Sequence, residues 1–305
     1  QDGSKSFVVV NEESKDDTEP TGLPEVESLV KEIKDKKAEN VAKKFRTLEE
    51  IKRDLGDLAI TPKTDGEILQ ELFTKYEDEI TKKHIDEDVI MEILKELSYL
   101  GNQIDNGYDF CKMNGFKKII YKELNSTNTL IKEHALRLFS ALAQNNPKVK
   151  IHILETGGLT NLLRILNLHE SPLIKYSAVT ALSATLRTFP YAQNSFIETG
   201  GLSVVTELMK ASSIKLKLKL VTLLDDLVIE RQKDTSNFEK HKLIDLEEAL
   251  YKLSWCQYLN DILQDLLTVD LHDHDSIEKC MVAMKSISKK CGKLYNIKLI
   301  FNLHV

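Results

Sequence analysis

One short segment, Glu-Thr-Gly-Gly-Leu, occurs twice in the chain, at Glu155–Leu159 and at Glu198–Leu202, with a spacing of 43 residues. Gly115 lies 43 residues before Gly158, the second glycine of the first copy. A fixed period of this length is the signature of a repeat protein, in which each unit buries its apolar face only against its neighbours. The spacing therefore predicts about four repeats of 43 residues between residues 65 and 231.

Each repeat has the pattern of helices. Ala135, Leu138, Phe139 and Leu142 recur at i, i+3, i+4 and i+7, which places them on one helical face. Glycine and proline number only 12 and 6, which favours long helices. The alternating run Lys215–Leu220 has the period of a strand, but the repeat register places it in the fourth unit's long helix. We expect an all-α, armadillo-like helical repeat solenoid.

The regions that flank the repeats differ from them in composition. Residues 1–60 are acidic and highly charged, with thin amphipathic patterns at 26–33 and 45–55. This composition predicts a mobile N-terminal arm that carries short amphipathic helices. A polar break at 231–238 separates the repeats from residues 239–305, which we expect to continue the solenoid as further helices.

Several classes of function are disfavoured by composition and motifs. A net charge of −6 argues against nucleic-acid binding. The chain contains no run of 18 apolar residues, so we predict no membrane-spanning helix. The chain has neither a nucleophile elbow nor a phosphate-binding loop, since Gly157-Gly158 and Gly200-Gly201 recur with the repeat as turn residues. We therefore predict no enzymatic activity and no cofactor. No signal peptide is recognisable, and a start at Gln1 fits a processed product.

Two groups of residues resemble metal or redox sites only superficially. The run Asp270–Asp275 holds two histidines and three aspartates, yet a solvated loop with Asp275 or Ser276 as helix N-cap explains it better than a metal site. The spacing of the four cysteines is not that of a zinc site, so we interpret them as buried thiols. A single disulfide among them is the alternative. They are Cys111, Cys256, Cys280 and Cys291.

The inner, concave face formed by the long helices is the surface that a solenoid presents to partners. Armadillo proteins that bind extended peptides carry a Trp and Asn ladder on this face, and here the ladder is missing. The aligned residues are Arg137, Thr180 and Leu223 for Trp, and Ala141, Ala184 and Leu227 for Asn. We therefore expect a folded partner. The candidate contact residues are Glu133, Arg137, Gln144, Tyr176, Thr180, Arg187, Lys219, Asp226 and Glu230.

Longer motifs resemble a known family. They are FRTLEEIKRDL at 45–55, QIDNGYDF at 103–110, NNPKVKIHILETGGL at 145–159, RTFPYAQNSFIETGGL at 187–202 and VTLLDDLV at 221–228. In order and in kind, these stretches are similar to the endoplasmic-reticulum nucleotide-exchange factors of the chaperone BiP, which have cytosolic armadillo relatives, the HspBP proteins. The resemblance covers the chain from about Phe45 to Tyr295.

The resemblance implies a function. The concave face would hold one lobe of the ATPase domain of BiP, a 70-kDa-class heat-shock chaperone, and favour its open state, from which ADP leaves. It also implies an endoplasmic-reticulum lumenal location and glycosylation of Asn125 in the sequon Asn125-Ser126-Thr127. We expect a monomer. The alternatives are a generic armadillo interaction scaffold and a cytosolic exchange factor of the HspBP type.

Two features depart from the family pattern. The chain ends at Phe301–Val305 without a retention tetrapeptide, so either the sequence is cut short or retention has another route. No cysteine precedes Cys111, so the redox cysteine pair of the fungal form is absent. A reductant role toward the chaperone is therefore not expected.

Overall fold

The computed structural model describes residues 46–57, 63–168, 170–233, 244–269 and 271–295. All regular elements in these ranges are helices. Contacts divide the chain into two units, Gln1–Pro62 and Lys63–Val305. The first unit contributes one described helix, α1 (Leu48–Asp57), which falls within the predicted amphipathic segment at 45–55. The remainder of the predicted arm lies outside the described residues.

The second unit is built from sets of helices that repeat along the chain. A first pair, α2 (Asp65–Thr81) and α3 (Glu87–Leu100), precedes four sets of three. These sets are α4 (Ile104–Lys112), the π-helix π1 (Phe116–Ile120) with α5 (Tyr121–Glu123), and α6 (Thr129–Ala143); α7 (Pro147–Glu155), α8 (Gly158–Asn167) and α9 (Pro172–Leu186); α10 (Pro190–Glu198), α11 (Gly201–Ala211) and α12 (Ile214–Lys233); and α13 (Leu246–Lys252), α14 (Trp255–Val269) and α15 (His274–Ser286), followed by α16 (Ser288–Cys291).

The long helices stack in one row, because α3 packs on α6, α6 on α9, α9 on α12 and α12 on α15. This confirms the predicted helical repeat solenoid. Lys215–Leu220 lies inside α12, so the repeat register was a better guide than the local strand period. No helix among the described ranges is both long and apolar enough to cross a membrane.

The recurring glycines mark the turn between the first two helices of a set. Gly157 and Gly200 have φ of +76° and +81°, a left-handed conformation that is strained for residues with a Cβ. The second glycine of the pair is required for a steric reason. A Cβ on Gly201 would lie 2.2 Å from the ring of Phe196. The Gly-Gly pair is therefore explained by the fold, and it leaves no reason to infer a phosphate site there.

An aromatic cluster fills the core of the first set of three, which contains π1. Phe116, the first residue of π1, is fully buried, and four rings surround it with centroids 5.3–5.8 Å from its own. They belong to Phe110, Tyr121, Phe139 and His152. Burial lowers the pKa of His152, because desolvation disfavours the charged imidazolium.

The cysteines divide into two kinds. Cys256 and Cys291 form a disulfide with a Cα–Cα distance of 5.4 Å, which ties α14 to α16. Cys111 and Cys280 are buried free thiols, and burial raises the pKa of each to about 12. The interpretation of all four as buried thiols was therefore wrong for one pair, because Cys256 and Cys291 are distant in sequence and meet only in the folded repeat.

The histidine and aspartate run forms the turn before α15. The N-cap of this helix is Asp273, whose carboxylate accepts a hydrogen bond from the backbone N–H of Ser276 at 3.2 Å, so the predicted caps Asp275 and Ser276 were wrong. Asp270 lies outside the described residues. Within the part of the chain that the structure covers, no group of three potential metal ligands is found.

Candidate functional site

A groove of about 690 Å³ opens on the long helices α3, α6 and α9 and on the first turn of α12. Five of the nine predicted contact residues line it: Glu133, Arg137, Gln144, Tyr176 and Thr180. Their positions follow from helix geometry. On α6, Leu138 and Leu142 are buried in the core, whereas Arg137, Ala141 and Gln144 lie on the face that lines the groove.

Arg137 lines this groove and forms an ion pair with a buried carboxylate. Its side chain is 65% exposed, while that of its ion-pair partner Glu133 is only 5% exposed. The Arg137 Nε donates to Glu133 Oε1, and the Ser177 hydroxyl donates to the same oxygen at 3.4 Å. A buried carboxylate without a cation would carry a large desolvation penalty, so Glu133 keeps Arg137 in place.

Tyr176 lies between two lysines. The Nζ atoms of Lys215 and Lys219 are each 5.1 Å from the centroid of its ring, within the range of cation–π contacts. Lys215 lines the groove, and Lys219 contacts the ring of Tyr176, which also lines it. The groove therefore carries local positive charge, although the whole chain has a net charge of −6.

The other three predicted residues form a second cluster near the ends of α9 and α12. Arg187 and Asp226 make an ion pair. Glu230 accepts hydrogen bonds from the backbone N–H of Thr188 at 2.9 Å and from the side-chain amide of Gln193 at 2.8 Å. These contacts stabilise the turn between α9 and α10, so the cluster has a structural role whether or not a partner also binds it.

Burial shifts the ionisation of groups around this second cluster. Desolvation raises the pKa of Asp225 and lowers that of Lys150, whose Nζ donates to the carbonyl of Arg187 at 2.6 Å. Desolvation also lowers the pKa of Arg231 to about 10, and its Nε donates to Gln193 at 3.0 Å. The polar contacts between α9 and α12 thus join partly exposed groups, such as Arg187 and Asp226, to the buried Lys150 and Arg231.

The model of the SIL1/FES1/HPBP1 C-terminal domain matches residues 106–303. The chain belongs to the SIL1/FES1/HPBP1 family. It is 32% identical over 263 residues to the nucleotide exchange factor SIL1 of Mus musculus, a match that covers 82% of this chain and 54% of that protein. The SIL1 of Xenopus laevis is 29% identical over 265 residues, covering 83% and 55%. The chain therefore spans about half the length of these curated relatives.

Solved structures agree on the fold alone. A designed armadillo repeat protein, YIII(Dq)4CqI, superposes with a TM-score of 0.54 at 16% identity, covering 79% of this chain and 87% of that one. A structure from a study of the interaction between cadherin and beta-catenin gives a TM-score of 0.56 at 14% identity, covering 82% and 42%. The armadillo-like architecture of this SIL1/FES1/HPBP1 family member is thus shared with proteins of unrelated sequence.

Three of the six aligned ladder positions, Ala184, Leu223 and Leu227, do not line the groove of this family member. Leu223 and Leu227 are each 1% exposed and belong to the core, so their placement on the inner face was wrong. The buried positions of Leu223 and Leu227 show that the 43-residue step does not carry the inner-face register from α9 to α12.

Several groove residues were not predicted from the sequence, and three of them are large or charged. Tyr99 and Leu173 are 78% and 45% exposed and line the groove together with Lys215. The exposure of Tyr99 could have been predicted from helical periodicity. Tyr99 does not lie on the buried face of α3, which includes Ile93 and Leu97. A large aromatic residue on the polar side of a repeat helix indicates a contact surface.

Asn125 follows α5 and is exposed. Its side-chain nitrogen donates to the carbonyl of Tyr121 at 2.8 Å, and its oxygen accepts from the guanidinium of Arg164 at 2.8 Å. Arg164 lies on α8 of the next set, so the predicted glycosylation residue sits at a junction between repeats. Its glycosylation remains a prediction.

Proposed function

We propose that this chain is a nucleotide-exchange factor for the endoplasmic-reticulum 70-kDa heat-shock chaperone BiP, whose ATPase domain binds in the groove of the long helices. The observation that carries the proposal is a groove with local positive charge in a chain whose relatives are named nucleotide exchange factors. The chain acts as a monomer, without a cofactor, and no side chain performs a chemical step.

The mechanism is differential binding. A partner that binds the open form of the chaperone more tightly than the closed, ADP-bound form shifts the equilibrium toward opening. ADP and the exchange factor then weaken each other's binding by the same factor, since coupling between two sites is reciprocal. A stacked array of packed helices suits this role, because it resists deformation and holds the chaperone lobe in one orientation.

The direct test is release of a fluorescent ADP analogue from preloaded BiP. We expect the release rate to rise with the concentration of this chain and to saturate near one chain per chaperone. Adding excess unlabelled ADP should weaken the complex measured by calorimetry, in line with reciprocal coupling. An unchanged release rate at saturating protein would contradict the proposal.

The two alternative functions predict different outcomes of the same assay. A cytosolic exchange factor of the HspBP type would accelerate ADP release from a cytosolic 70-kDa chaperone at least as well as from BiP. A generic armadillo scaffold would leave both release rates unchanged and would instead enrich extended peptides from a peptide library.

The location in the endoplasmic reticulum is supported by two features of this chain. The Cys256–Cys291 disulfide suits an oxidising compartment, and the sequon residue Asn125 is exposed. We expect the chain, expressed in the secretory pathway of a eukaryotic cell, to lose apparent mass on treatment with an N-glycosidase. Thr127→Ala removes the sequon and serves as the matched control. Equal mobility of treated and untreated protein would argue against glycosylation.

A further inference from the structure

We infer that Arg137 binds a carboxylate on the partner protein, and that the buried Glu133 is a positioning residue that fixes Arg137 for this contact. The partner surface that enters the groove would thus present an aspartate or glutamate side chain to Arg137. The identity of the partner rests on the proposed function, whereas the arrangement of Glu133 and Arg137 rests on the structure of this chain.

The geometry leaves the binding end of Arg137 open. Its only hydrogen bond within the described residues is from Nε to Glu133, so Nη1 and Nη2 have no protein partner there. A guanidinium presents its N–H groups as a planar fork that matches the two oxygens of a carboxylate. With 65% of its side chain exposed, Arg137 offers this fork toward the groove.

The burial of Glu133 makes this pair different from an ordinary surface ion pair. Two exposed side chains lose conformational entropy when they pair, which makes most surface pairs weak. Glu133 is 5% exposed and also receives the Ser177 hydroxyl, so its carboxylate is already fixed before Arg137 binds it. Arg137 is therefore ordered in advance, which lowers the entropic cost of a later contact.

The charges around the pair indicate the sign of the ligand. Lys215 and Lys219, both on α12, contact the ring of Tyr176, and Glu133 is the single acidic residue that lines the groove among the described residues. An acidic partner surface would be attracted by this local positive charge, while a basic segment would be repelled. The apolar residues Tyr99 and Leu173 beside it would exclude water from the contact.

The test measures binding of BiP's ATPase domain by calorimetry to four proteins: wild type, Glu133→Gln, Arg137→Gln and the double variant. We expect Arg137→Gln to weaken binding by about ten- to hundredfold, the usual effect of losing a charged hydrogen bond. Glu133→Gln keeps the shape and the Ser177 hydrogen bond, and should weaken binding about three- to tenfold because Arg137 is no longer fixed. In the Arg137→Gln background, Glu133→Gln should have no further effect.

This lack of additivity separates positioning from a structural role. A merely structural effect of Glu133 would persist in the absence of Arg137, whereas a positioning effect would vanish with it. Arg137→Lys should not restore affinity, since an ammonium group lacks the planar fork. Thermal melts of all variants check the fold. Arg137→Gln alone leaves Glu133 buried without a cation, so the double variant is the safer measure of the lost contact.

Controls distinguish failure of this inference from failure of the proposed function. Arg164→Gln removes an exposed arginine outside the groove and should leave affinity unchanged. If the wild-type chain does not bind the ATPase domain, the proposed function fails. If the wild type binds and the double variant binds within twofold of it, Arg137 does not contact a partner carboxylate and the inference is overturned. Higher salt should weaken the wild-type complex more than the double variant.

Discussion

Replacing Cys256 and Cys291 together by alanine is expected to lower the free energy of unfolding of the C-terminal set of helices by about 3–4 kcal/mol. The disulfide joins residues separated by 35 positions, and closing a loop of this size removes that much conformational entropy from the unfolded chain. The effect should be largest in this set, because the disulfide joins two of its own helices, α14 and α16. In addition, α16 is a helix of 4 residues that could not persist without such a tether.

The sequence supplies a local probe for this experiment. Trp255 is the single tryptophan of the chain, is 5% exposed, and directly precedes Cys256. Its fluorescence in a urea titration should report unfolding of the C-terminal set at a lower midpoint in the double variant. Reductant should shift the wild type to the same midpoint and leave the variant unaffected. Cys111→Ala, which removes a buried free thiol, should change the midpoint only slightly. Equal midpoints for wild type and double variant would refute the expectation.

The periodic part of the fold was predictable because each repeat uses the same turn chemistry. Pro147 and Pro190 occupy the first turn of α7 and α10, where the missing N–H of proline costs nothing. Gly157 and Gly200 take the left-handed conformation that starts the next helix. These signals are local in sequence, so they can be recognised without knowledge of the packing. They fixed the period and the order of helices.

The wrong predictions concern residues whose environment depends on packing between repeats or on the backbone geometry of a turn. Leu223 was assigned to the inner face by adding one period to Thr180, but the neighbouring helices bury it. A constant period assumes a constant rotation of each long helix, and a shift of one residue turns a helix by 100°. The cap of α15 was misplaced for a related reason. Asp273, Asp275 and Ser276 all have side chains suited to capping, and only the backbone geometry selects Asp273.

The position of the candidate site could be predicted from the sequence, but the burial of its individual side chains could not. Helical periodicity placed Glu133 and Arg137 together on the inner face. The sequence could not indicate that one is buried and the other exposed, because this difference depends on how closely α9 packs against α6. That difference is what turns an ordinary i, i+4 ion pair into a fixed arginine. Likewise, the lysines beside Tyr176 come from another helix, α12.

Phe116→Ala is expected to lower the free energy of unfolding of the set formed by α4, π1, α5 and α6 by about 3–5 kcal/mol, the usual cost of truncating a buried aromatic side chain. Phe116 is fully buried and touches four rings, so the cavity would lie at the centre of the cluster and could not be filled by the movement of one neighbour. Tyr99→Ala is the matched control, since this ring is 78% exposed and its loss leaves no cavity.

Hydrogen exchange is the decisive measurement for Phe116→Ala, because local unfolding in a repeat array need not involve every repeat. We expect faster exchange in α4, π1 and α6, and little change in α14, which is far along the array. Since α6 carries both Glu133 and Arg137, the same variant should bind its partner more weakly without altering any groove residue. Unchanged exchange in α6 would mean that the aromatic cluster does not hold this helix, and the groove would then have to be stabilised by the contacts among the long helices alone.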